Sequence, residues 1–115
     1  MPREISLVSL EPVTTDLLVE AAAGVDGTLA PRLLYEGWAT QPVDTDEVAV
    51  LTIELSRSVD DTFDVERLTE PLPMVGPVWW TEATAPWGSA GETGVAIVRA
   101  LGALLDARVL VGDGR

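Results

Sequence analysis

The chain has 115 residues, 47% of them hydrophobic, and a formal net charge of −12. That length and apolar content predict a single domain over 1–115 with its own core. Cysteine, histidine, lysine and asparagine are all absent, which excludes disulfides, thiol and Schiff-base catalysis, thiolate metal sites and a P-loop lysine, and removes the usual general base near neutral pH.

Residues 5–10 read as the first strand, on their β-branched side chains and partial alternation. Pro12 ends it. Thr14, Thr15 and Asp16 offer caps for a helix over 15–23, with Leu17, Leu18, Ala21 and Ala22 on one face. Gly24 is placed to stop that helix, and Asp26-Gly27 to turn the chain. Residues 32–40 are expected to be a strand carrying Tyr35 and Trp38, although Pro31 would also suit the first position of a short helix. Residues 48–59 alternate most strictly. Ala49, Leu51, Ile53 and Leu55 share one face, and Thr52, Glu54, Ser56 and Ser58 the other. The start of this stretch, 48–51, is apolar on both sides and should be the more deeply covered end.

A short helix over 64–70, capped by Asp64 and closed by Pro71, leads into an extended connection held by Pro71, Pro73 and Pro77. A strand over 78–83 carries Trp79 and Trp80, and 86–91 form a loop. The clearest helix covers 92–107. Gly94, Ile97, Val98, Leu101, Leu104 and Leu105 recur at helical spacing, with Arg99, Ala103 and Asp106 opposite. A last strand follows over 108–112.

The order β-α-β-β-(short α)-β-α-β predicts an α+β architecture: about five strands in a mixed or antiparallel sheet, with the two main helices on one face. A ferredoxin-like arrangement, βαββαβ with an insertion between its third strand and second helix, fits that order best.

No apolar run reaches the roughly 18–20 residues that span a bilayer. The start Met1-Pro2-Arg3-Glu4 lacks the pattern of a signal peptide, so a cytoplasmic location is expected. All seven cations are arginines. Lysine and asparagine have A/T-rich codons, so the composition fits a GC-rich bacterial genome, with salt adaptation as the alternative. The acidity disfavours nucleic acid and anionic membranes and favours a basic partner.

Nine acids against two arginines fall between Asp44 and Glu70, a net of −7. Paired carboxylates can hold a hard cation. Asp44, Asp46 and Glu47, however, stand about 45 Å from Asp60-Asp61 on a straight strand, and neither group has the ligand set of an EF-hand. No metal, cofactor or catalytic residue is expected.

Trp79 and Trp80 are adjacent and should point to opposite faces of a strand. One enters the core, and the other needs a helix, an interface or a ligand to cover it. Trp87 follows just before the long helix. Gly88-Ser89-Ala90-Gly91-Glu92-Thr93-Gly94 opens that helix. Its glycines would let the backbone approach a ligand, and Ser89 and Thr93 add hydroxyls at an anion-attracting helix start. The ligand or interface candidates are therefore Trp79, Trp80, Trp87, Gly88, Ser89, Gly91 and Thr93. The expected function is a non-enzymatic interaction or accessory module, immunity- or inhibitor-like, that pairs with itself or with a basic protein. The alternative is a small-molecule binder or small enzyme with a site at Trp79, Trp87 and 88–94, its base a carboxylate such as Glu82 or Glu92.

Overall fold

The computed structural model describes residues 3–34, 37–59 and 78–112. The elements run β1 (Arg3–Ser9), α1 (Thr15–Val25), β2 (Ala30–Leu34), β3 (Ala39–Val43), β4 (Thr52–Glu54), β5 (Arg57–Val59), β6 (Val78–Ala85), α2 (Ser89–Leu105) and β7 (Arg108–Val111). The helix expected over 64–70, its following prolines and Asp60-Asp61 lie outside the described residues.

Alternation along β1 and β6 decides which side of the sheet is apolar. Ile5, Leu7, Ala83 and Ala85 join Leu51 and Ile53 in the main core, against Leu18, Ala21 and Ala22 of α1 and Val95, Ile97, Val98 and Leu101 of α2. The two helices pack on each other and on this one face. The strands lie in the order β2-β3-β4-β6-β1-β7, with β5 also paired to β6, and every pairing is antiparallel. The unit β7-β1-β6-β4 with its two helices is the ferredoxin-like βαββαβ arrangement. The insertion is the β2–β3 hairpin, which enters between α1 and β4 and widens the sheet. Chain order alone places the insertion after the third strand.

The hairpin replaces the single strand expected over 32–40. The chain reverses near Gly37, whose φ of 97° favours glycine, and Ala30–Leu34 pairs back on Ala39–Val43. The long strand expected over 48–59 is also divided. Pro42 has no N–H to donate, so the β3–β4 ladder stops short of Leu51. Further on, Ile53 faces Ala83 while Arg57 faces Trp80, four steps on one strand against three on the other. This is a β-bulge. It puts Ser56 against Thr81, hydroxyl to hydroxyl at 2.7 Å, and lets Ser56 Oγ accept from Val13 N at 2.9 Å. Leu55, expected in the core, is left 52% exposed; of the stretch 48–51, expected to be deeply covered, Val50 and Leu51 are, but Val48, in the turn before them, is 45% exposed.

α1 begins at Thr14, whose Oγ1 accepts from Leu17 N at 3.2 Å. It does not stop at Gly24. It continues to Val25, and Asp26 N closes it on Ala22 O at 2.8 Å. α2 starts at Ser89, three residues earlier than expected, so Gly91 lies inside the helix. Leu104, on the expected apolar face, is exposed. Among the described residues no helix is long and apolar enough to cross a membrane.

Candidate interaction surface

The seven residues singled out from sequence fall at two separate places. Trp79 and Trp80 sit at the start of β6, opposite Ser9 and Val8, and so on opposite faces. Both are half-buried, and Trp80 packs on the fully covered Val8 and Val78 on the face away from the helices. Trp87 lies beyond the other end of β6, about 20 Å further along the strand. It is 47% exposed, and the Arg3 guanidinium stands 4.5 Å from its ring centroid. Arg3 also pairs with Glu92 at 3.5 Å, tying β1 to the first turn of α2.

Residues 88–94 have structural work. Gly88 takes the N-cap of α2 at φ 89° without a side-chain cap, and Thr93 Oγ1 donates to Ser89 O at 3.3 Å. A Cβ at Gly91 would lie 1.5 Å from the Pro86 carbonyl oxygen, and one at Gly94 2.0 Å from that of Val50. These glycines let α2 lie directly on the chain beneath it. The structure thus does not bring Trp79, Trp87 and this segment together.

Among the described residues, the face of the sheet away from the helices carries a hollow of about 230 Å³. Glu4, Ser6, Thr52, Glu54, Glu82 and Thr84 line it, gathered by the pairings Glu4–Thr84, Ser6–Glu82 and Thr52–Thr84. It is smaller than the roughly 300–1,000 Å³ of a typical small-molecule site. Glu82 is paired with Arg57 at 3.3 Å, both side chains being more than half exposed. The Asp44 carboxylate, in the acidic turn after β3, accepts from Asp46 N and Val48 N, each at 2.9 Å, and so shapes that turn. Among the described residues no three acidic groups are placed to hold a metal ion.

A different surface stands out on the helix side. The β2–β3 hairpin extends the sheet past α1, and two of its apolar side chains, with a third just after β4, are left uncovered. Trp38 is 67% exposed, Leu33 62% and Leu55 52%. Leu33 faces Thr40, and Leu55 N donates to Trp38 O at 3.0 Å, so the three residues ride on adjacent strands. Two shallow hollows run beside them. One is lined by Val13, Thr14, Leu18, Trp38, Ile53 and Leu55, among others. The other lies along Leu18, Val19, Ala22, Leu29, Pro31 and Pro42. Leu18 and Thr40 border both, so the two hollows adjoin and together follow the groove between α1 and the hairpin. Sequence reasoning passes over Trp38 because in the chain it reads as bulk within a strand.

No protein-family model, curated protein or solved structure matches the chain. The fold is defined by its own topology, and function must be argued from the surface.

Proposed function

We propose that this protein is a non-enzymatic interaction module whose working surface is the groove beside Trp38. The observation that carries the reading is the exposure of three large apolar side chains, Trp38, Leu33 and Leu55, together on one face. Apolar patches of this kind, built around a tryptophan, are where protein partners dock. Two further features support it. The hollow on the opposite face is small for a metabolite and lined by polar side chains. The glycines at 91 and 94 are occupied in packing α2, which removes the main support for a ligand loop.

A random peptide-display selection on the immobilised protein, counter-selected on the Trp38→Ala variant, tests the reading. Enriched peptides should bind the wild-type protein and lose about tenfold or more on the variant. Peptides that bind both equally would contradict it.

A further inference from the structure

We propose that the groove between α1 and the β2–β3 hairpin receives a cationic amphipathic segment of another protein. Its apolar side would lie on Trp38, Leu33 and Leu55, and its positive charges toward Asp16 and Glu20. The inference rests on the interaction reading above and assigns the chemistry of the partner.

The groove has the dimensions of a peptide site. It follows α1, whose 11 residues are about 16 Å long. Its two hollows measure about 40 and 20 Å³, room for the ends of side chains. Its walls are apolar at Val19, Ala22, Trp38 and Leu55 and polar at Thr15, Thr40 and Glu54. An amphipathic segment laid lengthwise fills such a groove with anchors at helical spacing.

Charge selects among the possible occupants. Between Leu10 and Leu51, the stretch that supplies nearly all the walls, the chain has eight acids and one arginine. Asp16 and Glu20 are exposed and lie four residues apart on α1, with Val19 between them on the groove side. The lone arginine, Arg32, is turned to the other face of the sheet, where Gln41 Oε1 accepts from its Nε at 3.1 Å and its Nη2 at 2.5 Å. A positive segment is therefore steered in and a negative one repelled.

A second copy does not meet this requirement. Its seven arginines are all at least seven residues apart, so no two fall within one helical turn of each other and no stretch of it gathers positive charge. Two grooves placed face to face would set Asp16 and Glu20 against their own copies. Strand addition at the edge of β2 is also poorly served. Pro42 O accepts from Val50 N, on the side of β3 away from β2. By the alternation of the ladder, its partner Pro31 then turns its polar atoms outward, as does Leu33. Proline has no N–H, so within Ala30–Leu34 only Leu33 offers a donor to an added strand.

The test uses three labelled peptides of about 14 residues followed by fluorescence anisotropy. The first carries leucine and arginine at amphipathic helical spacing. The second is a scramble of it, and the third has glutamate in place of arginine. The first should bind the full-length protein, with the other two about tenfold weaker or more. Trp38→Ala should weaken the first peptide about tenfold or more. The double variant Asp16→Asn, Glu20→Gln should weaken it several-fold and flatten its salt dependence. Equal binding of the scramble, unaffected by Trp38→Ala, would reduce the effect to net charge and overturn the inference. Trp38-dependent preference for the glutamate peptide would overturn the partner's charge while leaving the interaction reading standing. A dimer seen by light scattering that Trp38→Ala abolishes would make the occupant a second copy and overturn the inference.

Discussion

Replacing Gly94 by alanine should weaken the fold by about 2 kcal/mol, while the same change at Gly24 should strengthen it by up to about 1 kcal/mol. Both glycines are inside helices, where alanine is favoured over glycine by about 1 kcal/mol. Their surroundings differ. A Cβ at Gly24 meets nothing within 4 Å. A Cβ at Gly94 would lie 2.0 Å from the Val50 carbonyl oxygen, 3.0 Å from its carbon and 3.3 Å from Ala85 Cβ. Overfilling a core costs about 1–3 kcal/mol, and the upper end applies because the obstacle is backbone that cannot rotate away. Setting about 3 kcal/mol of strain against about 1 kcal/mol of helix propensity leaves the net loss of about 2. The two variants then differ by about 3 kcal/mol, which separates their urea midpoints by about 1.5 M for a denaturant slope near 2 kcal/mol/M. Gly94→Ala as stable as Gly24→Ala would show that α2 does not lie against Val50. It would also return the glycine segment to consideration as a ligand loop.

Other consequences of the structure are open to measurement. Ser56→Ala removes a bond to the Thr81 hydroxyl, buried at 1% exposure, and should cost about 1–2 kcal/mol in chemical denaturation. The Asp26 carboxyl is held below its usual pKa by the Thr28 hydroxyl first and the Thr28 backbone N–H second. Thr28→Val should raise it toward the ordinary aspartate value in an NMR titration. Because the folded pKa is depressed, the stability from this contact is present above the ordinary aspartate value and is lost as pH falls through the lowered one. The stability gap between wild type and Thr28→Val should therefore narrow as the pH falls below about 4. Arg3→Ala removes the contact with the Trp87 ring and the ion pair to Glu92, and should cost no more than about 1 kcal/mol while changing Trp87 fluorescence.

The parts of the fold legible in the sequence are those where one face stays buried from end to end. β1, β6 and the inner face of α2 have that property, and their periodicity leads directly to Ile5, Leu7, Ala83, Ile97 and Leu101 in the core. The hairpin is hidden because apolar residues flank its reversal and no Asn-Gly or Asp-Gly pair marks it; only Gly37 signals a turn. The bulge is hidden for a different reason. The alternation holds from Ile53 to Ser56 and breaks only at Arg57, which a strand end explains equally well, so only the partner strand reveals that its phase has shifted. Among the candidates, the adjacency of Trp79 and Trp80 correctly implies opposite faces. The exposure of Trp38 is invisible to the same reasoning, because it depends on how far the hairpin carries the sheet beyond α1. Glycines 91 and 94 look like a ligand loop in the chain and prove to be contact points, since close approach of two backbones leaves no local mark.

The most direct test of the groove is an NMR titration of the ¹⁵N-labelled protein with the cationic amphipathic peptide. The account predicts that the largest shift changes fall on the Trp38 indole N–H and on the amides of Leu18, Val19, Thr40 and Leu55, which border the groove, and of Leu33, which faces Thr40. Changes confined to the acidic turn at Asp44, Asp46 and Glu47, or to Glu4 and Glu82 on the opposite face, would contradict it.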